Sequence, residues 1–160
     1  NLFENSVEVL EKLEKSKKQY VLLTNAPRPN LTVIKYLKKM GLDEKKAQQV
    51  YTSGQAALDH LKNMSLKSFF HIGPPRDFDL FKTFESQKSE KIDRSDFFLC
   101  TGLFDDHKTD LKFYEKLLLD HTKKKMICTN PDLVVDRGNV REFCAGTCHP
   151  RPRQRIHHRC

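Results

Sequence analysis

Tyr20-Val-Leu-Leu-Thr-Asn-Ala-Pro-Arg-Pro29 is the stretch on which the fold turns. Tyr20 to Leu23 form a strand-favouring apolar run with no polar break. That is the pattern of a short strand buried on both faces of a parallel sheet. Pro27 and Pro29 forbid the ladder from continuing past Thr24-Asn25. A hydroxyl and an amide therefore stand at the carboxyl end of the strand, where open α/β sheets bind ligands. Both side chains can donate hydrogen bonds to an anion. Thr24 and Asn25 are thus candidate phosphate-binding residues.

On either side of this stretch, helical and strand patterns alternate. Residues 5–18 carry an apolar stripe of Val7, Leu10 and Leu13, with Ser6 available as a cap. Asn30 can cap a helix over 31–40 that Gly41 ends. A short polar helix over 43–49 leads to Val50-Tyr-Thr-Ser-Gly54, a brief strand entering a turn. A helix over 55–63 and a strand over 68–72 follow. Gly73-Pro74-Pro75 is the strongest break and marks a lobe boundary. Beyond it the pattern predicts a helix over 78–84, a polar loop over 85–95 and a strand over 96–101. Next come a helix over 111–122, with Leu111, Tyr114, Leu117 and Leu118 on one face, and a strand over 125–129 ending on Asn130-Pro131-Asp132. The order is that of a parallel α/β sheet.

Composition narrows the classes. At 160 residues the chain holds one domain or two small lobes. No apolar run approaches the ~20 residues that span a bilayer, so a membrane partner is not expected. Asn1-Leu-Phe-Glu-Asn5 lacks the features of a signal peptide and reads as an internal start. The five cysteines without framework spacing point to reduced thiols and a cytoplasmic setting. Cys100 and Cys128 read as small buried hydrophobes within strands.

The net charge of +8 invites a nucleic-acid partner, but Arg151, Arg153, Arg155 and Arg159 place four of those charges in residues 148–160. A basic nucleic-acid-binding protein using that tail is the alternative reading. The remaining body has ordinary mixed-charge surfaces. The tail has Ile156 as its one large aliphatic residue and two prolines, a composition that favours disorder.

Four motifs carry a family resemblance. Val21-Leu-Leu-Thr-Asn-Ala-Pro-Arg-Pro29 resembles the second motif of haloacid dehalogenase-like hydrolases of the NagD-like subclass. Met126-Ile-Cys-Thr-Asn-Pro-Asp132 resembles the TNPD loop of that subclass's large cap. Val50–Gly54 and Phe143-Cys-Ala-Gly-Thr147 fall in the family's order. The resemblance implies an α/β protein. It would have a partial Rossmann-like core over 1–75, a C2-type α/β cap over 76–147 and an aberrant tail over 148–160. It also implies a magnesium-dependent phosphatase of a small phosphorylated metabolite, a sugar phosphate or nucleotide, working through an aspartyl-phosphate.

Within that resemblance Thr24 matches the phosphoryl-binding position and Asn25 follows it. Asn130, Pro131 and Asp132 would form a substrate-facing cap loop. The nucleophilic Asp is expected upstream of Asn1, and the Lys and the Mg²⁺-binding acids beyond residue 147. No catalytic residue and no metal ligand is therefore expected in this chain, which should be inactive alone.

Two acidic stretches imitate the missing groups. Asp77-Phe-Asp79 has nucleophile-and-acid spacing but follows a Gly-Pro-Pro break, and reads as a solvated helix start. Asp105, Asp106 and Asp110 have oxygen-ligand spacing but precede the TNPD loop, and read as a cap loop with a helix N-terminus. Cys144, Cys148, His149, His157, His158 and Cys160 match no zinc-finger spacing.

Overall fold

The computed structural model of the chain describes residues 2–64 and 67–148. The first unit contains α1 (Glu4–Lys15), β1 (Leu22–Thr24), α2 (Asn30–Lys39), α3 (Glu44–Ala47) and β2 (Val50–Thr52). β1 and β2 pair in parallel, Thr24 opposite Thr52. α4 (Ser53–Asn63) then leads to a second parallel sheet of β3 (Phe69–Ile72), β4 (Phe97–Cys100) and β5 (Lys125–Cys128), in the order β3-β4-β5. A long 3₁₀ segment, Pro75–Gln87, lies between β3 and β4, and α5 (Leu111–Leu119) lies between β4 and β5. After β5 the chain forms an antiparallel hairpin of β6 (Val134–Arg137) and β7 (Val140–Phe143), then a 3₁₀ turn, Ala145–Cys148.

The second sheet holds both hydrophobic clusters. Successive residues of β4 point to opposite faces, as the strand pleat requires. Phe97 and Leu99 join Phe69, Leu80, Phe81 and Phe84 and the α4 residues Ala57 and Leu61. Phe98 and Cys100 join Ile72, Leu103, Ala145 and Cys148 and the α5 residues Tyr114 and Leu118. Helical layers thus cover both faces, which is why all four β4 residues are buried.

Several expectations need correction. The opening strand runs 22–24, not 20–23, and is not buried on both faces: Leu23 is 78% exposed. β2 is its only partner among the described residues, and neither α1 nor α2 contributes a buried residue to cover it. β3, expected in the first lobe, belongs to the second sheet. The sheets therefore part before residue 69, and Gly73-Pro74-Pro75 lies inside the second unit. Segment 78–84 is part of the 3₁₀ run, interrupted by non-helical backbone at Phe81 and Phe84.

Ser6 and Asn30 lie inside their helices, which Phe3 and Pro29 precede as caps. The hairpin was not anticipated; its two-residue Gly138-Asn139 turn uses a positive φ of 61° at Gly138. Cys148, assigned to the tail, is buried in the second cluster. Residues 149–160, on which the disordered-tail, Arg-rich and remaining zinc-ligand expectations fall, lie outside the described residues. Among the described residues no helix is long and apolar enough to cross a membrane.

Candidate functional site

Thr24 closes β1, and the backbone turns at once. Its Oγ1 accepts a hydrogen bond from the Ala26 N–H at 3.2 Å. The loop from Thr24 to Pro29 is then held by the end of β2 and the start of α4. Ser53 Oγ donates to the Ala26 carbonyl at 3.1 Å, and the Gly54 N–H donates to the same oxygen at 3.2 Å. Thr52 Oγ1 caps α4 by accepting from the Gln55 N–H at 2.9 Å, and donates to the Arg28 carbonyl. Asn30 Oδ1 accepts from the Thr52 N–H at 3.0 Å. A Cβ on Gly54 would stand 2.5 Å from Arg28 N, so only glycine lets loop and helix approach this closely. Thr52-Ser53-Gly54 is thus a clamp on the Thr24 loop.

A second loop is built by the same means. Asn130 Oδ1 accepts from the Asp132 N–H at 3.0 Å, making an Asx turn after β5. Cys128 Sγ donates to the Asn130 carbonyl at 3.1 Å. The Gly146 N–H donates to the Asp132 carbonyl at 3.0 Å, and a Cβ on Gly146 would meet the Pro131 carbonyl oxygen at 2.2 Å. The Cys144–Thr147 stretch is therefore the floor on which Asn130, Pro131 and Asp132 rest.

The two loops meet. Asn25 Nδ2 donates to Asp132 Oδ1 at 2.9 Å, joining residues 107 apart in sequence. Arg28 reaches Asp77 at 3.2 Å, a second tie between the units. Beside these ties lies a cleft of about 490 Å³ whose lining includes Arg28, Arg76, Asp77, Asn130 and Phe143. Thr24 and Asn25 also line a depression of about 390 Å³ with Tyr51, Thr52 and Ser53.

The acidic decoys are occupied. Asp77 begins a helical segment as expected but is paired with Arg28 instead of solvated. Arg76 grips Asp105 with bonds of 2.8 and 2.9 Å; that contact, then Lys108, holds the carboxyl below its usual range. Asp110 caps α5 by accepting from the Phe113 N–H at 3.1 Å. No group of three or more His, Cys, Asp or Glu among the described residues could hold a metal ion.

Arg28 and Asp77 joined the site only in three dimensions. Gly54 and Gly146 were visible in their motifs, but the backbone approaches they allow were not. The signal that could have singled out Arg28 is its place between two prolines at the end of the Thr24 loop.

A family model described as haloacid dehalogenase-like hydrolase matches residues 1–86. Among solved structures, a hydrolase of the haloacid dehalogenase-like family from Brucella suis 1330 superimposes with a TM-score of 0.73 and 29% identity, over 91% of this chain and 56% of its own. A structure described as a putative nagD protein gives 0.65 and 25% identity over 92% and 57%. NagD from E. coli K-12 gives 0.62 and 22% identity over 91% and 56%, a likeness of fold alone. The chain spans a little over half the length of these structures. No curated protein matches it.

Proposed function

This chain belongs to the haloacid dehalogenase-like hydrolases, and from that membership we propose that it forms the phosphoryl-binding wall and most of the cap of a phosphatase for small phosphate monoesters, a sugar phosphate or a nucleotide. In this reading the β1–β2 unit belongs to the core, and the second sheet with its hairpin forms the cap. The observation that carries the reading is the Asn25–Asp132 hydrogen bond. It brings the polar end of a core strand against the loop that ends a cap strand.

The chemistry available to these residues is anion binding. Because the Ala26 N–H occupies a lone pair of Thr24 Oγ1, the hydroxyl proton is free to donate to a phosphoryl oxygen. Asn25 has a second amide hydrogen beyond the one given to Asp132. Donors so fixed stabilise charge that builds on transferring phosphoryl oxygens. A cap loop tied to Asn25 would help exclude water while the substrate is held.

Magnesium enters this reading through the family alone, because the described carboxylates do not fit it. Asp105 is committed to Arg76 and Lys108, Asp77 to Arg28, and Asp132 to Asn25. None is a free nucleophile either, so this chain alone is expected to be inactive. A cytoplasmic setting is part of the same reading, from cysteines that lack a framework spacing.

The test has two arms. Hydrolysis of p-nitrophenyl phosphate by the purified 160-residue chain with Mg²⁺ should stay at background. Turnover abolished by Asp77→Asn or Asp105→Asn would overturn the reading of those carboxylates. Inorganic phosphate should shift the Thr24 and Asn25 amide resonances, and Thr24→Val should remove that shift. A shift that survives Thr24→Val would take the phosphoryl-binding role from Thr24.

A further inference from the structure

Three thiols lie together beneath the Asn130–Asp132 loop, and the hydrolytic reading gives them no part. Cys100 in β4 and Cys128 in β5 are register partners on adjacent parallel strands. Cys148, from the 3₁₀ turn, is buried in the same cluster as Cys100, and Cys128 packs against it. Register partners project to the same face of a sheet with backbones about 4.8 Å apart. That spacing falls within the ~4.4–6.8 Å Cα separation that a disulfide accepts.

We propose that Cys128 is a peroxide-oxidised thiol which Cys100 resolves into a Cys100–Cys128 disulfide, releasing the Asn130–Asp132 loop. The Cys128 thiolate attacks one oxygen of hydrogen peroxide. An S–O bond forms, the O–O bond breaks, and hydroxide leaves. The Cys100 sulfur then attacks Cys128 Sγ, forming the S–S bond and expelling the sulfenic oxygen as hydroxide. The two hydroxides take up the two thiol protons. Two thiols are oxidised and one hydrogen peroxide is reduced to two waters.

The order of the two thiols follows from their surroundings. Cys128 is half-buried, whereas Cys100 is wholly enclosed. Hydrogen bonding with Cys128 and Cys148, then burial, pushes the Cys100 thiol well above its usual range. Hydrogen bonding with Cys100 holds the Cys128 thiol below its usual range. Cys128 is therefore the more readily ionised of the two thiols, and the attacking thiolate forms from it.

The structural consequence is local. The Cys128 thiol donates to the Asn130 carbonyl at 3.1 Å, and a disulfide sulfur has no proton to donate. The Asn130 side chain shapes the turn that carries Asp132 to Asn25. Any effect on hydrolysis rests on the proposed function; the oxidation itself does not.

The experiment treats the full chain with hydrogen peroxide, blocks remaining thiols, and maps the peptides without reduction. The expected product has lost two hydrogens, carries a Cys100–Cys128 linkage and reverts with dithiothreitol. Cys100→Ser should leave a sulfenic acid on Cys128 that dimedone traps. In the unmodified chain, alkylation of Cys128 should be half-maximal at a lower pH than that of an ordinary cysteine thiol. A principal linkage through Cys144, Cys148 or Cys160, a dimedone adduct elsewhere, or no reaction under excess peroxide would overturn the proposal. A Cys100–Cys128 linkage in a chain that shows no phosphate response at Thr24 would uphold it while refuting the hydrolytic reading.

Discussion

In β4, four consecutive residues from Phe97 to Cys100 are buried, while in β1 Leu23 stands 78% exposed between two half-buried neighbours. Both strands are short apolar runs that reach a threonine at the carboxyl end, Thr24 within β1 and Thr101 just after β4. The difference lies in what surrounds them. β4 has a parallel partner on each edge and helical layers on each face. β1 has β2 on one edge, and neither hydrophobic cluster among the described residues includes it. An apolar run states only that a strand can be buried; the layers packed against it decide whether it is. In this chain the second sheet carries the packing energy and the first carries the exposed polar loop.

The sharpest way to break this contrast is to truncate one leucine in each sheet. Leu99→Ala removes a side chain with no exposed surface and should cost about 3 kcal/mol in urea denaturation. Leu23→Ala should change stability by less than about 0.5 kcal/mol. Equal losses would show that β1 is covered after all.

Acid should act on the second sheet almost as strongly. His71, in β3, is buried with its Nε2 2.8 Å from Thr101 Oγ1. Burial, then the charge of Lys88, lowers its pKa from 6.5 to about 4. The unfolded chain binds this proton first, so the stability due to neutral His71 is full above pH 6.5 and lost as pH falls towards 4. The loss amounts to about 3 kcal/mol. Urea midpoints measured from pH 7 to pH 4 should fall more steeply for the native sequence than for His71→Gln. Parallel slopes would mean that the imidazole is already solvated.

The smallest effect belongs to the tie between the two units. A double-mutant cycle on Asn25→Ala and Asp132→Ala should return a stability coupling below about 1 kcal/mol, because the pair is exposed. The Asp132 and Asn130 amide resonances should nevertheless move in Asn25→Ala. No movement there would separate the loops and remove the contact on which the functional reading rests.

The second sheet was the more legible part of the fold. Leu111, Tyr114, Leu117 and Leu118 recur at helical spacing because a single face of α5 meets the sheet, and that period survives in the sequence. The run 96–101 was readable as a strand because it is apolar on both faces. The hairpin escaped notice because Asp136, Arg137 and Arg141 interrupt its apolar residues, although Gly138-Asn139 is a recognised two-residue turn. β3 pairs with β4 against expectation because local pattern says nothing of which strands pair. The same limit applies to the site. Thr24, Asn25 and Asp132 are visible as polar residues at strand ends, but the bond between Asn25 and Asp132 spans 107 positions and depends on the packing between. Gly54 and Gly146 matter through distances that no residue type encodes.

The hairpin leaves and rejoins the body at almost one point. The Cys144 N–H bonds the Leu133 carbonyl at 2.9 Å, and the Gly146 N–H bonds the Asp132 carbonyl at 3.0 Å. Between those two anchors, Val135, Val140 and Arg141 of the hairpin line the cleft. Residues added at Gly138-Asn139 would lengthen an arm while its shoulder stays fixed, since extending a surface loop costs little in closure entropy. This chain thus has a place where reach over the cleft can change in evolution or by engineering while the loop holding Asp132 keeps its position.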